Sequence, residues 1–370
     1  MNSNTQRRNL FISIGTILAA IGLAYVPIPG VNQTITVVSG SELQEPLKVL
    51  ETEFERKHST IDIDLKFQGS QDIVNNYVND DNSFTPTVLI PANGELLDEL
   101  SDRWRTQNEG EPFFEAPRAI ASTLLVGIAW PERGQVLFPE GRFQWERLEA
   151  AMKAGSWDAI GGQESWGSFD FVMTNPTRSN SGQLTLSLWS QSKVGSATLN
   201  TANLNAEPVR DLMALVERSV YQPPRSTDIL LQEFVVRGPN DADVATAYES
   251  IALHRWSQAE QTQGIPYQIY YLNRSVETVS TAAIARRGIS NATAKAARTF
   301  LDFLSEPEQQ AVFVQHGFRP ANPKVDLTKV PNSPWNQNIP GIEIDPPGQI
   351  SPPAPRPILT ELIRLWERAG

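Results

Sequence analysis

I-D-I-D-L-K-F-Q-G-S, from Ile61 to Ser70, is the stretch on which the fold turns. Ile61, Ile63, Leu65 and Phe67 alternate with Asp62, Asp64 and Lys66, a period of two that puts the apolar side chains on one face of a β-strand. The run ends at Gly69-Ser70, and Ile73, Val74 and Tyr77 follow at helical spacing, so strand, small polar pair and helix succeed one another directly. The same unit recurs on either side. Upstream, the β-rich Thr34 to Val38 runs into Ser39-Gly40-Ser41 and then a helical face of Leu43, Leu47, Leu50 and Phe54, ending near His58. Downstream, Thr87 to Ile90 runs into Pro91-Ala92-Asn93-Gly94 and a face of Leu96, Leu97, Leu100 and Trp104. Three strand-to-helix units in close succession predict an α/β fold with a mainly parallel sheet flanked by helices, because parallel neighbours need a crossover between them. Ligands of such sheets bind beyond the carboxyl ends of the strands, where the three small polar loops fall.

Further along, Ala119 to Trp130 is one apolar run, long enough to pass from one lobe into a second before Pro131 stops it. Residues 145 to 151, 181 to 192, Glu207 to Val220 and Asp228 to Val236 read as helices, and Phe169 to Met173 and Ala242 to Tyr248 as strands. Gln268 to Leu272 and Val276 to Ala285 are β-rich and return the chain to the first lobe, where Ala292 to Leu304 forms a helix. The expected division is a first lobe of residues 31–120 with 275–325, a second of 121–274, and a Pro-rich C-terminal extension, 326–370, that wraps without regular structure until a short amphipathic helix carrying Leu359, Leu362 and Trp366.

The second lobe holds V-M-T-N-P-T-R-S-N-S-G-Q, Val172 to Gln183, where an apolar run halts at Asn175-Pro176 and hydroxyls gather before a helix. Free N–H groups and the positive end of a helix dipole suit an anion or a hydroxyl-rich ligand, and the same side chains also serve as plain caps. Arg178 inside this loop is open to pairing with an anion or to solvation.

Composition narrows the function. The 370 residues are 40% hydrophobic and 20% charged, the profile of an ordinary globular protein of about two domains. A net charge of −11 lacks the basic face that a nucleic acid requires. The absence of cysteine removes disulfides, thiol nucleophiles and cysteine-ligated metals. His58, His254 and His316 have no metal-ligand spacing, and no G-x-S-x-G, Walker or G-x-G-x-x-G pattern occurs, so neither cofactor nor catalysis is expected. A hydrolase would need a triad assembled from distant residues. At the N-terminus, Arg7-Arg8 precedes an uncharged apolar stretch from Leu10 to about Ile28, which reads as an export signal or membrane anchor over residues 1–30 that places the remainder outside the cytoplasm.

Three stretches resemble the type II, two-lobed periplasmic solute-binding proteins of ABC-type importers. They are N-P-T-R-S-N-S-G at Asn175 to Gly182, Tyr248-Glu249 with Tyr271 and Val276 to Ile284 as the return crossover, and S-E-P-E-Q-Q-A-V-F-V-Q-H-G-F-R-P at Ser305 to Pro320. The resemblance spans about Thr34 to Pro320. It implies a monomeric, non-enzymatic binder that closes by hinge motion on a small polar solute, an oxyanion or similar, and presents it to a membrane permease. By position it implies ligand contacts from Ser39, Ser41, Ser70 and Asn93 on the first lobe. The facing lobe would add Thr177, Ser179 and Ser181, with Tyr248 and Glu249 at the rim. A tyrosine-held metal at Tyr270-Tyr271 competes with simple strand packing, and sugar stacking by Trp130, Trp166 or Trp189 competes with a core role. The alternative from another class is a membrane-anchored sensor or interaction module that keeps the fold without transport.

Overall fold

A computed structural model describes residues 32–196, 198–346 and 348–370. The expected N-terminal export signal or anchor lies outside the described residues, and no helix among them is long and apolar enough to cross a membrane. The three sequence units form as read: β1 Gln33–Gly40, α1 Gln44–Lys57, β2 Ile61–Gln68, α2 Ser70–Asn79, β3 Val88–Ile90 and α3 Glu95–Gln107. β1 lies between β2 and β3, parallel to both, with Gly40 beside Gln68 and Ser39 beside Ile90. This register brings the ends of all three strands level, so the loops that follow them emerge side by side.

Both faces of this sheet are covered. Ile35 and Val37 of β1 face Leu47, Leu50 and Phe54 of α1, whereas Val38 and Leu89 point the other way, into Ile73, Val74 and Leu97 of α2 and α3. Alternation along one strand thus feeds two cores, as expected for a sheet sandwiched between helices.

β4, Arg118–Ala129, is followed by α4 Pro131–Leu137, α5 Trp145–Ala154, β5 Phe171–Val172, α6 Asn180–Val194, α7 Thr201–Leu204, α8 Glu207–Ser219, α9 Thr227–Arg237 and β6 Val244–Tyr248. Then come α10 Glu249–His254, α11 Trp256–Gln263, β7 Gln268–Tyr271, β8 Arg274–Ile284, α12 Asn291–Leu304, α13 Pro307–Gln315 and β9 Arg319–Pro320. The main sheet path runs β2-β1-β3-β8-β4-β6-β5. β4 belongs to both lobes: Arg118 to Leu124 pair with β8, and Leu125 to Ala129 pair with β6 and β7. All these partners are antiparallel to β4, because the chain enters the second lobe along β4 and returns through β7 and β8. The sheet is consequently mixed, with β5–β6 a parallel pair in the second lobe.

Two local readings change. Pro131 stops the strand and also opens α4, since its fixed φ and missing N–H suit the first helical position. The 326–370 segment is less irregular than expected, because Gln349–Ser351 forms β10 alongside Arg274 to Val276. It also packs: Trp335, Ile339 and Ala354 are buried, and α14, Arg356–Glu367, inserts Leu359 and Leu362 into the second-lobe core.

Candidate functional site

Between the lobes lies a cleft of about 440 Å³. The first lobe contributes Ser41 and Gln44 after β1, Phe67 to Gly69 at the end of β2, and Asp72 and Asn76 of α2. The second lobe contributes Arg178 from the hydroxyl loop, and Arg225, Ser226, Asp228 and Ile229 at the start of α9. The strand ends thus face the mouths of two second-lobe helices, the placement that the parallel units predict.

The lobes meet closely at this mouth. The guanidinium of Arg178 reaches across to Asp72 at 2.7 Å, so the arginine is paired. Gly69 packs so tightly that an added Cβ would stand 2.8 Å from the Arg178 carbonyl oxygen. Asp228 accepts two bonds from Arg255, at 2.9 and 2.6 Å. Arg225 is exposed and has no ion pair among the described residues, which leaves one free guanidinium on the cleft wall.

Beneath the mouth is a buried floor of neutral groups. Asn93 Nδ2 donates to Asn180 Oδ1 at 2.7 Å, joining the lobes directly. Asn180 Nδ2 donates to Tyr248 Oη at 2.9 Å and to Thr278 Oγ1 at 3.3 Å, and Thr278 Oγ1 donates to the Ala92 carbonyl. Ser181 Oγ lies within hydrogen-bond distance of Thr174, Ser179 and Thr227 hydroxyls, at 2.7, 3.1 and 2.7 Å. Ser70 Oγ accepts from Ala92 N, and Ser39 Oγ donates to the Gly40 and Ile90 carbonyls. A buried network that satisfies its own donors fixes geometry, because any member left unpaired in low dielectric is costly.

One floor group is poorly provided for. Glu42, just after the first loop, is 7% exposed and its Oε1 has no hydrogen-bond partner among the described residues. Burial, with the nearby Asp228 charge adding to it, pushes its carboxyl up to about 7. Tyr248 is shifted up as well, by burial first and by Glu42 second.

The residues singled out by sequence therefore divide. Ser41 lines the cleft, and Ser70, Thr177 and Ser179 flank the lining residues Gly69 and Arg178. Thr177 spends its hydroxyl on Asn175 Oδ1. Ser39, Asn93, Ser181 and Tyr248 are buried in the neutral network and do not themselves line the cleft. Glu249 is not at the rim: its carboxylate is fully buried, held by two 2.8 Å bonds from Arg319 and one from Tyr271, because a buried charge persists only with such partners. Trp130 stacks on Phe234 and Trp189 on Trp145, which makes both core residues. No group of three or more His, Cys, Asp or Glu side chains placed to hold a metal ion occurs among the described residues. Arg225 and Asn180 were the omissions. Asn180 carried a signal, as a cap candidate opening α6; Arg225, alone after Pro223-Pro224, carried none.

The sequence model of bacterial extracellular solute-binding proteins matches residues 35–319, from β1 through both lobes to β9. The chain belongs to this family. Solved structures place the solute-binding protein among two-lobed binders. A periplasmic thiamin binding protein aligns with a TM-score of 0.64 at 13% identity, over 93% of this chain and 98% of its own. The ferric binding protein from Campylobacter jejuni gives 0.61 at 12%, over 91% and 99%. The sulfate-binding protein SubI from Mycobacterium tuberculosis H37Rv gives 0.60 at 15%, over 86% and 94%. At these identities the likeness is one of fold, the type II periplasmic-binding fold. Comparison with curated protein sequences gave no match.

Proposed function

We propose that this solute-binding protein captures a small polar solute bearing negative charge, an oxyanion or similar, in the inter-lobe cleft and presents it to a membrane ABC permease. The observation that carries the reading is the cleft itself, walled by hydroxyls, amides and two carboxylates, Asp72 and Asp228, each already paired with an arginine, with the unpaired guanidinium of Arg225 as its free cation. In this reading Ser41, Ser226 and Arg225 touch solute, and Ser70, Thr177 and Ser179 hold the loops that carry the lining. Ser39, Asn93, Ser181 and Tyr248 form the buried floor beneath that lining, and Glu249 keeps the crossover rigid. The lobes divide near the limits 31–120 with 275–325 and 121–274, hinged within β4 where its partner changes from β8 to β6 and β7. The protein works as a monomer outside the cytoplasm, without catalysis, and its N-terminal segment contacts the membrane. The solved neighbours are named for sulfate, thiamin and iron, so a shared fold leaves the solute to the lining.

The test is a thermal-shift screen of folded protein against sulfate, phosphate, molybdate, thiamin, sugars, amino acids, polyamines and ferric ion, followed by calorimetry on hits. A ligand of the folded state at a hundredfold excess over its Kd adds about 2.7 kcal/mol to stability. An anionic hit that loses at least about tenfold in affinity in Arg225→Gln supports the reading, since a charge-assisted contact is worth about 1.5–3 kcal/mol. Hits confined to cations, or an affinity indifferent to Arg225, sink it.

A further inference from the structure

The C-terminal segment does more than cover the second lobe. After β9 the chain is held at 343–344, where Arg319 donates to the Glu343 and Ile344 carbonyls, and β10 then pairs with the beginning of β8 beside the crossover. The segment ends in α14, whose Leu359 and Leu362 are part of the second-lobe core. The first residue of that helix, Arg356, turns toward the other lobe. Its Nη2 donates to Gln71 Oε1 of α2 at 2.8 Å and its Nε lies 2.8 Å from Glu99 Oε2 of α3, both first-lobe groups. Its Nη1 donates to Gln183 Oε1 of α6 at 2.9 Å. Gln71 follows Ser70 directly, and Gln183 lies two residues past Ser181, so the guanidinium sits where the first turns of the two helices behind the cleft approach each other.

The supports of this contact are themselves fixed. Gln183 Nε2 donates to the Pro176 carbonyl in the hydroxyl loop. Glu99 also accepts from Arg103 and Gln71. Both side chains of the ion pair are largely buried, 20% exposed for Arg356 and 12% for Glu99, so water screens them little. Such a pair is costly to break, because separation leaves each charge in a half-dry site.

We infer that Arg356 is a latch, a positioning residue that holds the two lobes closed in the absence of solute. It is anchored to one lobe by α14 and grips the other through Glu99 and Gln71, so the lobes separate only when that grip is released. The inference concerns closure and does not depend on which solute, if any, the cleft takes.

The chain has no cysteine, so Val49→Cys on α1 and Val236→Cys on α9, both exposed positions, supply the only thiols for a donor and acceptor dye pair across the lobes. Single-molecule energy transfer is then read without solute. A fall in transfer efficiency below the parent's, as the two dye-bearing lobes move apart, defines the opened state. The latch predicts one closed population in the parent and a shift of at least about a third of molecules toward the opened efficiency in Arg356→Gln, since about a hundredfold loss of bias takes a two-state balance from roughly 99:1 to even. Glu99→Gln, which leaves α14 intact, gives the same shift, and the double variant gives no more than either single one. A parent that is already open, or an Arg356→Gln distribution identical to the parent's with melting behaviour retained, overturns the latch.

Discussion

The mouth and the floor of the cleft join the same two lobes by different means. At the mouth, Arg178 and Asp72 form an ion pair with side chains 45% and 21% exposed. At the floor, Asn93, Asn180, Tyr248 and Thr278 are neutral and buried. Full charges facing water contribute little, because hydration and salt compete with them. Neutral amides out of water matter chiefly through what happens when one is removed, since its partners lose their bonds and gain none from solvent. The floor is thus the structural joint, and the mouth is the joint that faces solvent.

The sharpest way to break this contrast is Asn180→Ala. It strands Asn93 Nδ2 and Tyr248 Oη, and a loss of about 3 kcal/mol in denaturant unfolding is expected. A loss below about 1 kcal/mol would mean that water reaches the floor and that the two regions do not differ in kind.

Glu42 offers a second probe of the same dryness, read through pH. Its folded carboxyl titrates near 7 against an unfolded value of 4.5, so below 4.5 both states hold the proton and nothing is lost. As pH rises from 4.5 toward 7 the unfolded state sheds its proton first, and the folded state is progressively penalised. Glu42→Gln should therefore stabilise the protein by on the order of 2 kcal/mol at pH 8, with the gain fading toward pH 4.5. A gain independent of pH would place the carboxyl in contact with solvent.

The smallest effect belongs to the mouth. Asp72→Asn is expected to cost under about 1 kcal/mol at low salt and close to nothing at about 0.5 M, measured by urea titration at both ionic strengths. A cost that matches Asn180→Ala and ignores salt would erase the distinction.

Most of the architecture could be read from local pattern. The alternation of Ile61 to Phe67 and the helical spacing of Leu47, Leu50 and Phe54 are properties of neighbouring residues, and the elements appeared where those patterns lay. The joints between lobes depend on residues far apart in the chain. Asn93 meets Asn180 across 87 positions, Asp72 meets Arg178 across 106, and Gln71 meets Arg356 across 285. No spacing rule reports such pairs, and the same distance hid the commitment of Glu249 to Arg319. The hydroxyl loop was visible as a cluster, yet whether its oxygens face a ligand or one another depends on how α6 beds into the second lobe. In the structure Ser181 answers to Thr174, Ser179 and Thr227, four side chains from three parts of the chain. In the C-terminal segment the helix carrying Leu359 was legible from its spacing, whereas β10 and the burial of Trp335 were not, because Pro-rich composition describes the free chain and the surface it lies on supplies the rest.

β4 carries one more implication. A single twelve-residue strand supplies backbone partners to the sheets of both lobes, changing allegiance between Leu124 and Leu125. Cutting the chain to isolate either lobe would leave the other with an unzipped sheet edge, so the two halves are expected to melt in one transition on heating.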